Sequence, residues 1–477
     1  MITNRYFDIE SSKSRSKWEA DFQRRLEAAK YIDFLNNEQL PHTIEHLTTL
    51  FPNTIEQIKH YIKIEFLTSQ LIDKLSIMFQ EDPVIVVDGI ADSQQDSLDA
   101  ILDRVKLISF LDFAQQLANN YLKVAIMPRW DSKRKETYLH LITPDEMIVV
   151  QDSDRPQIAD AVLINIGILE NTHLKAEYVN RYMYIDSDVI YECELNSETG
   201  KIYKKCNEQK NRYGRIPIAF FSVYPCLKSF WGDKKNDIIE TNLFINEHKT
   251  DLSIMIHYQA FSTLVRKGNA EWLAEVPVKF GPQFSVDIAT DPLGAGDQET
   301  DVKYITPSVE IESVSNYIDK EIIKLAQAHG ISARAYRGET GEANSGYSIK
   351  LSMLDLIKRN INQRKHFEEP IKELIRHIMA TEQIAAEGVR FGSLEQIYNR
   401  DIDITFGDIT IEEDPTIELD NDIKAVAGGF ASPVDIIMKR YPNLTEEEAK
   451  DKYEEIIAIK QGRQREPDQI DRMIDEL

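Results

Sequence analysis

The chain is 477 residues long and carries 56 Lys and Arg against 80 Asp and Glu, a formal charge of −24 with a pI near 4.9. Its hydrophobic fraction of 42% suffices for a core and excludes wholesale disorder. No apolar run approaches the ~18–20 residues of a membrane span, and the acidic balance argues against a surface that grips DNA through clustered Lys and Arg.

The opening, MITNRYFDIESSKSRSKW, has no apolar stretch of the secretory kind. Cys193, Cys206 and Cys226 form no C-x-x-C pair, so neither a disulfide framework nor a cysteine zinc site is expected, and synthesis in a reducing compartment is. Residues 1–30 are polar and locally basic, consistent with a mobile arm or a surface helix. From Thr54 to Met78, Ile55, Ile58, Ile62, Phe66, Ile72 and Leu75 recur at near-helical spacing and predict one helix; Ser97–Tyr121 predicts another. Between them DPVIVVDG, Asp82–Gly89, reads as a short buried strand or a loop. From Lys123 to Tyr224 short segments rich in Val, Ile and Tyr, separated by turn residues, predict an antiparallel sheet with hairpins.

The character changes at Gly232. A helix is expected over Asp233–Tyr258, roughly 39 Å long at ~1.5 Å per residue, with Asp233 as N-cap and Ile238, Ile245, Leu252 and Met255 along one face. Residues 259–307, rich in Gly and Pro, predict an insert of strands and loops. Ser308–His329 is a second helix with Val314, Ile318, Ile322 and Leu325 on one stripe, stopped by Gly330. Gly330–Gly346 is a loop with four glycines that carries Arg334 and Arg337. A third, longer helix runs from about Ser345 towards Glu387, with a kink expected near His366–Pro370 because proline removes a backbone bond. Asp401–Pro415 alternates around Gly407-Asp408 and predicts a hairpin or a bulged strand. The tail from Thr416 is helical and acidic, with Ser432-Pro433 and Thr445–Glu448 as helix-start signals.

Chemistry-bearing motifs are sparse. HTIEH, His42–His46, fits an H-x-x-E-H zinc pattern with Glu45 as base, against the simpler reading of a solvated helix start after Pro41. The glycine loop lacks the G-K-[ST] ending of a phosphate-binding loop. Asp401 and Asp403, two apart in an alternating strand, are expected to share the solvent face rather than ligate a metal. No catalytic residue, metal ligand or cofactor is assigned, and the organisation alone also fits an α+β enzyme domain carrying a surface insertion.

Several phrases in their order resemble the portal proteins of long-tailed bacteriophages. LITPDEMIVVQD (Leu141–Asp152), RIPIAFFSVYPCLKSFWGDKKNDI (Arg215–Ile238), GETGEANSGYSIKL (Gly338–Leu351) and GFASPVDIIMKRYPNLTEEEAKDKYEEI (Gly429–Ile456) carry the likeness. Tyr347 stands where that family usually has a small apolar residue, and residues 1–50 match nothing in it. The resemblance implies an α+β portal fold: residues 1–232 and 346–415 a wing, 233–258 and 308–329 stem helices, 259–307 a clip, 330–345 a tunnel loop and 416–477 a crown. It implies a non-enzymatic ring, usually of twelve copies, at one capsid vertex of the virion, made in the host cytoplasm. Such a ring conducts double-stranded DNA without regard to sequence, docks terminase and then head-completion adaptors, and is surrounded by major capsid and scaffolding proteins; no membrane is involved. It further implies Arg334, Tyr336, Arg337, Asn344 and Ser345 on the DNA side of the tunnel loop, and Ile245, Leu252, Val314 and Ile318 in ring packing. Another head–tail connector, a minor capsid protein or a metal-dependent hydrolase are the alternatives. Twelve copies would carry roughly −290 charges, a wall that repels phosphate over a Debye length of ~8 Å.

Overall fold

The computed structural model describes residues 12–166, 181–195, 202–226, 228–232, 236–259, 263–268, 273, 285–289, 301–305, 311–333, 336, 346–385, 390–407, 409, 422–441 and 445–465. The chain divides into two compact units, one of Met1–Gly338 with Met353–Ile409 and one of Glu339–Ser352 with Thr410–Leu477.

The larger unit begins with helices α1 (Ser12–Leu35), α2 (Leu40–Leu50), α3 (Ile55–Ile58) and α4 (Leu67–Leu75), the last two separated by a 3-10 turn over Lys59–Tyr61. Ala28 and Phe34 of α1 are buried. The Arg24 guanidinium donates to the carbonyls of Pro144 (2.9 Å) and Met147 (3.0 Å) and lies 3.9 Å over the Trp231 ring. The N-terminal segment is thus a docked helix, because its arginine satisfies carbonyls at a turn between strands.

The single helix expected over Thr54–Met78 is absent. Hydrophobic spacing alone is indifferent to where the backbone finds partners, and here the partners lie elsewhere. The N–H groups of Lys63, Glu65 and Thr68 donate to Thr250 Oγ1 (3.1 Å), Asn246 Oδ1 (2.8 Å) and Asn242 Oδ1 (3.0 Å). The Glu65 carbonyl accepts from Asn242 Nδ2 (2.8 Å) and Gln39 Nε2 (2.6 Å). Residues bonded in this way cannot also close i→i−4 bonds, so the chain stays out of any helix from Ile62 until Leu67.

Strand β1 (Val84–Val87) follows, then α5 (Asp92–Arg104) and α6 (Leu107–Tyr121). The expected Ser97–Tyr121 helix is broken at Lys106, whose φ of 54° leaves the helical region. The β region that follows is antiparallel as expected, but forms two sheets. Strands β2 (Lys123–Asp131), β3 (Glu136–Ile142) and β9 (Ala219–Ser222) pair in the order β3-β2-β9; β4 (Met147–Gln151), β5 (Ala159–Asn165), β6 (Arg181–Ile185), β7 (Val189–Leu195) and β8 (Ile202–Lys210) form a five-stranded meander. Strand β2 reads as one apolar run because both its faces are covered. Val124 and Ile126 join the helical core, whereas Ala125 and Met127 pack towards Met147, Val162 and Ile164 of the larger sheet. The far face of the meander buries Ile148, Leu163, Tyr184, Tyr191 and Cys193, and burial pushes the Cys193 thiol up to about 12, which makes it inert.

Helix α7 (Asp237–Gln259) is followed by strands β10 (Thr263–Gly268), β11 (Ser285–Ala289) and β12 (Asp301–Ile305), then α8 (Ile311–Ala328), α9 (Gly346–Ala385), α10 (Leu394–Asn399) and β13 (Ile402–Thr405). The insert is a small sheet ordered β11-β10-β12, with β10 parallel to β11 and antiparallel to β12. Helix α9 runs unbroken through Pro370. Its inner face carries Phe367, Ile371, Leu374 and Ile378 into the main core, beside a buried amide network: Gln115 Nε2 donates to Asn360 (2.7 Å) and Gln363 (3.1 Å), and Gln363 Nε2 to Asn119 (2.9 Å). The hairpin expected over Asp401–Pro415 is corrected in its first arm: β13 pairs antiparallel with β1, Val84 opposite Thr405 and Val87 opposite Ile402. Residues 410–421 lie outside the described residues. Strand β1 is only half-buried, with Val84 and Val86 exposed, while Asp401 and Asp403 are exposed beside it.

In the smaller unit, a helical stretch over 422–427 precedes α11 (Pro433–Arg440) and α12 (Glu446–Arg465). Both expected start signals form. Ser432 Oγ accepts from the Asp435 N–H (3.1 Å) while the Asp435 carboxylate accepts from the Ser432 N–H (2.7 Å), and Thr445 and Glu448 make the same reciprocal pair.

Candidate functional site at the paired helices

Helices α7 and α8 pack against each other and flank the small inserted sheet. Helix α7 starts at Asp237, not near Asp233, because Asn236 Oδ1 accepts the Ile238 N–H (3.0 Å) and Asn236 is buried. Three faces of α7 are occupied. Ile238 and Ile245 enter a core with Leu67, Leu71, Ile72 and Leu75 of α4 and Ile318, Ile322 and Leu325 of α8. Asn242, Asn246 and Thr250, one turn apart, hold the extended segment already described. Phe244 and His248 lie beside Tyr317 of α8, with ring centroids 6.3 and 6.0 Å away.

The residues expected in ring packing lie on this core of a single chain. Ile245 and Ile318 are buried within one chain, and Leu252 and Val314 pack partly buried against the same core. The stripe is thus used within the chain, with part of Leu252 and Val314 left exposed. Tyr336 also lies beside this core. It sits one helical turn beyond Ser332, its N–H bonded to the Ser332 carbonyl (2.9 Å), and packs half-buried on this core. Burial foremost, and then the charges of Glu65 and Asp319, raise its hydroxyl above the ordinary tyrosine value. Arg334, Arg337, Asn344 and Ser345 lie outside the described residues.

Helix α8 ends as its sequence predicts. Gly330 has φ +86°, its N–H bonds to Gln327 O (3.0 Å), and the Ile331 N–H reaches back to Ala326 O (2.9 Å). A Cβ at Gly330 would lie 3.1 Å from the backbone of Asp355, so the glycine also permits close approach of α9. Beside it His329 is buried between two helices. Arg359 Nη1 donates to its Nδ1 (2.8 Å), so the imidazole proton sits on Nε2 and is directed at Asp237 Oδ1 (3.0 Å). One imidazole thereby ties the start of α7, the end of α8 and the body of α9. The His329 hydrogen bond is the main cause holding the Asp237 carboxyl below its usual range. A depressed carboxylate contributes stability above its unfolded value of ~3.9 and loses it as pH falls through the folded value. The melting-temperature gap between wild type and Asp237→Asn should therefore be constant from neutral pH to about pH 5 and narrow below about pH 4. Thermal melts across that range check it.

The residues of HTIEH lie on α2 but serve three partners. His42 Nε2 is 2.6 Å from Asp33, His46 Nε2 is 2.9 Å from Glu247, and Glu45 pairs with Lys30 at 3.4 Å. His377, buried between Arg215 and Arg376, is pushed down to about 3, mainly by burial, and stays neutral against Tyr398. Sequence reasoning passed over Asn242, Asn246, Gln115 and Asn119; polar amides inside otherwise apolar helices were the signal that could have found them.

These groups are engaged in holding helices together, in an α+β fold built around a helix pair that flanks an inserted sheet. The sequence model of the family described as "Phage portal protein, SPP1 Gp6-like" matches residues 74–465, from the end of α4 to the end of α12. The chain belongs to this family of phage portal proteins. No curated protein sequence matches it. Among solved structures, a chain of "Virion of native gene transfer agent (GTA) particle" is similar at 10% identity, covering 77% of this chain and 86% of that one, with a TM-score of 0.36.

Proposed function

We propose that the chain forms a ring at one capsid vertex, through which double-stranded DNA is packaged and later ejected. The family match spanning the sheets, both paired helices, the insert and α9 carries this reading. On it, residues 1–232 and 346–415 form the wing, 233–258 and 308–329 the stem, 259–307 the clip on which terminase and then head-completion adaptors dock, 330–345 the tunnel loop and 416–477 the crown. Capsid and scaffolding proteins contact the outside. The protein performs no catalysis; the motor supplies the hydrolysis. Its charge of −24 per copy supports passage of DNA without capture, since an acidic wall releases no condensed counterions from phosphate. Because Ile245 and Ile318 are consumed within the chain, ring contacts fall to residues left exposed on the helix pair, of which Tyr317 and Ile256 are large and apolar.

Mass photometry should find particles many times 55.0 kDa; a monomer overturns the ring. Rings carrying Arg334→Ala with Arg337→Ala should assemble normally but package shorter DNA per capsid in vitro, because transient phosphate contacts are lost. Wild-type packaged length with that variant removes the tunnel-loop role.

A further inference from the structure

On α7, Glu247, His248 and Asp251 bring a carboxylate, an imidazole and a second carboxylate together, with ligand atoms within 4.8 Å of one another. His248 Nδ1 is 3.9 Å from Glu247 Oε1 and 3.9 Å from Asp251 Oδ2. That nitrogen is buried and makes no hydrogen bond among the described residues. The Phe244 ring, 4.0 Å from the imidazole centroid, backs it from the side. The other oxygen of Glu247 receives His46 Nε2 of α2 at 2.9 Å, which orients the carboxylate. His248 and Asp251 also line a cleft of about 340 Å³ with Met255, Ser313, Val314 and Tyr317.

We propose that Glu247, His248 and Asp251 bind one divalent cation of the zinc class, with His46 as a positioning residue. Two observations favour a cation over a network complete in itself. Two carboxylates converge, and among the described residues neither has a Lys or Arg ion-pair partner; nearby Lys249 is spent on Glu65. Metal–ligand bonds of ~2.0–2.2 Å allow ligand atoms up to ~4 Å apart, so the 3.9 Å separations require only small side-chain rotations. One imidazole nitrogen with two carboxylate oxygens suits Zn²⁺, with Mn²⁺ as a weaker competitor, and the cleft leaves room for water in the remaining position. The helical spacing makes the set possible: Glu247 and Asp251 are four apart and His248 and Asp251 three apart, so all three lie on one side of α7. The His46–Glu247 contact repeats the arrangement in which an outer partner fixes a ligating carboxylate.

The test is a calorimetric titration of the full-length, chelator-stripped chain with Zn²⁺ at pH 7. One ion per chain is expected, with binding weakened at least tenfold by Asp251→Asn and by His248→Ala, and about tenfold by His46→Ala. Affinity should fall between pH 7 and pH 5.5 as protons compete for the ligands. Because His248→Ala also removes a ring from Phe244 and Tyr317, the isosteric Asp251→Asn is the deciding variant, with thermal melts confirming that it folds. Co²⁺ in place of Zn²⁺ should give visible absorption that Asp251→Asn abolishes. Absence of saturable binding, or equal binding by wild type and Asp251→Asn, overturns the site. The outcome is independent of the ring reading.

Discussion

Replacing Ile318 with Asp is expected to unfold the core formed by α4, α7 and α8, not merely to separate subunits. Ile318 is 2% exposed and meets Ile245, Ile322 and the leucines of α4 within one chain. Removing a buried isoleucine costs about 2–5 kcal/mol, and an unpaired carboxylate in its place adds several more. A total loss of about 5 kcal/mol or more approaches the whole stability of an ordinary domain. Denaturant titration followed by far-ultraviolet circular dichroism should show an early transition or no folded baseline. Folded single subunits with an unchanged midpoint would instead place Ile318 in a subunit interface.

The second large effect is expected at Asn246. Its two ends hold different segments: Oδ1 takes the Glu65 N–H and Nδ2 donates to Thr43 Oγ1 at 3.0 Å, all in a buried setting. Asn246→Leu keeps the branched shape and strands both partners, at about 1–3 kcal/mol for each buried group left unmade. A loss of about 3 kcal/mol is expected, with hydrogen exchange at Glu65 accelerated more than at β2. Thr49→Ala, an exposed site on α2, should change stability by less than about 0.5 kcal/mol. If Asn246→Leu behaves like Thr49→Ala, the extended segment is held by its hydrophobic neighbours rather than by the α7 amides.

The same residues explain what could be read in advance. The β region was legible because alternation is local: Tyr182 and Tyr184 fall on one face and Met183 and Ile185 on the other without reference to distant chain. The Gly330 stop and the Ser432 and Thr445 caps were legible because their bonds close within five residues. The misread elements are those decided at a distance. Nothing between Thr54 and Met78 announces that Asn242, Asn246 and Thr250 will take the backbone of residues 63–68. The partner of β13 lies at the other end of the sequence, so Gly407-Asp408 suggested a local hairpin. At the candidate site, the apolar stripe of the paired helices was visible, but whether it faces this chain or a neighbour is a question of packing. Glu247, His248 and Asp251 were invisible as a set because adjacent charged residues on a helix are ordinarily only solvated.

The pairing of β1 with β13 also has a consequence for synthesis. About 315 residues separate Val87 from Ile402, and at ~5–20 residues per second a ribosome needs roughly 15–60 s to traverse them. For that interval a nascent strand with Val84 and Val86 on its surface has no ladder partner. Unsatisfied strands of this kind invite pairing with other nascent chains on the same messenger. Chaperones that shelter an incomplete N-terminal segment would therefore govern how much folded protein accumulates, and a slower-translating message would worsen the yield.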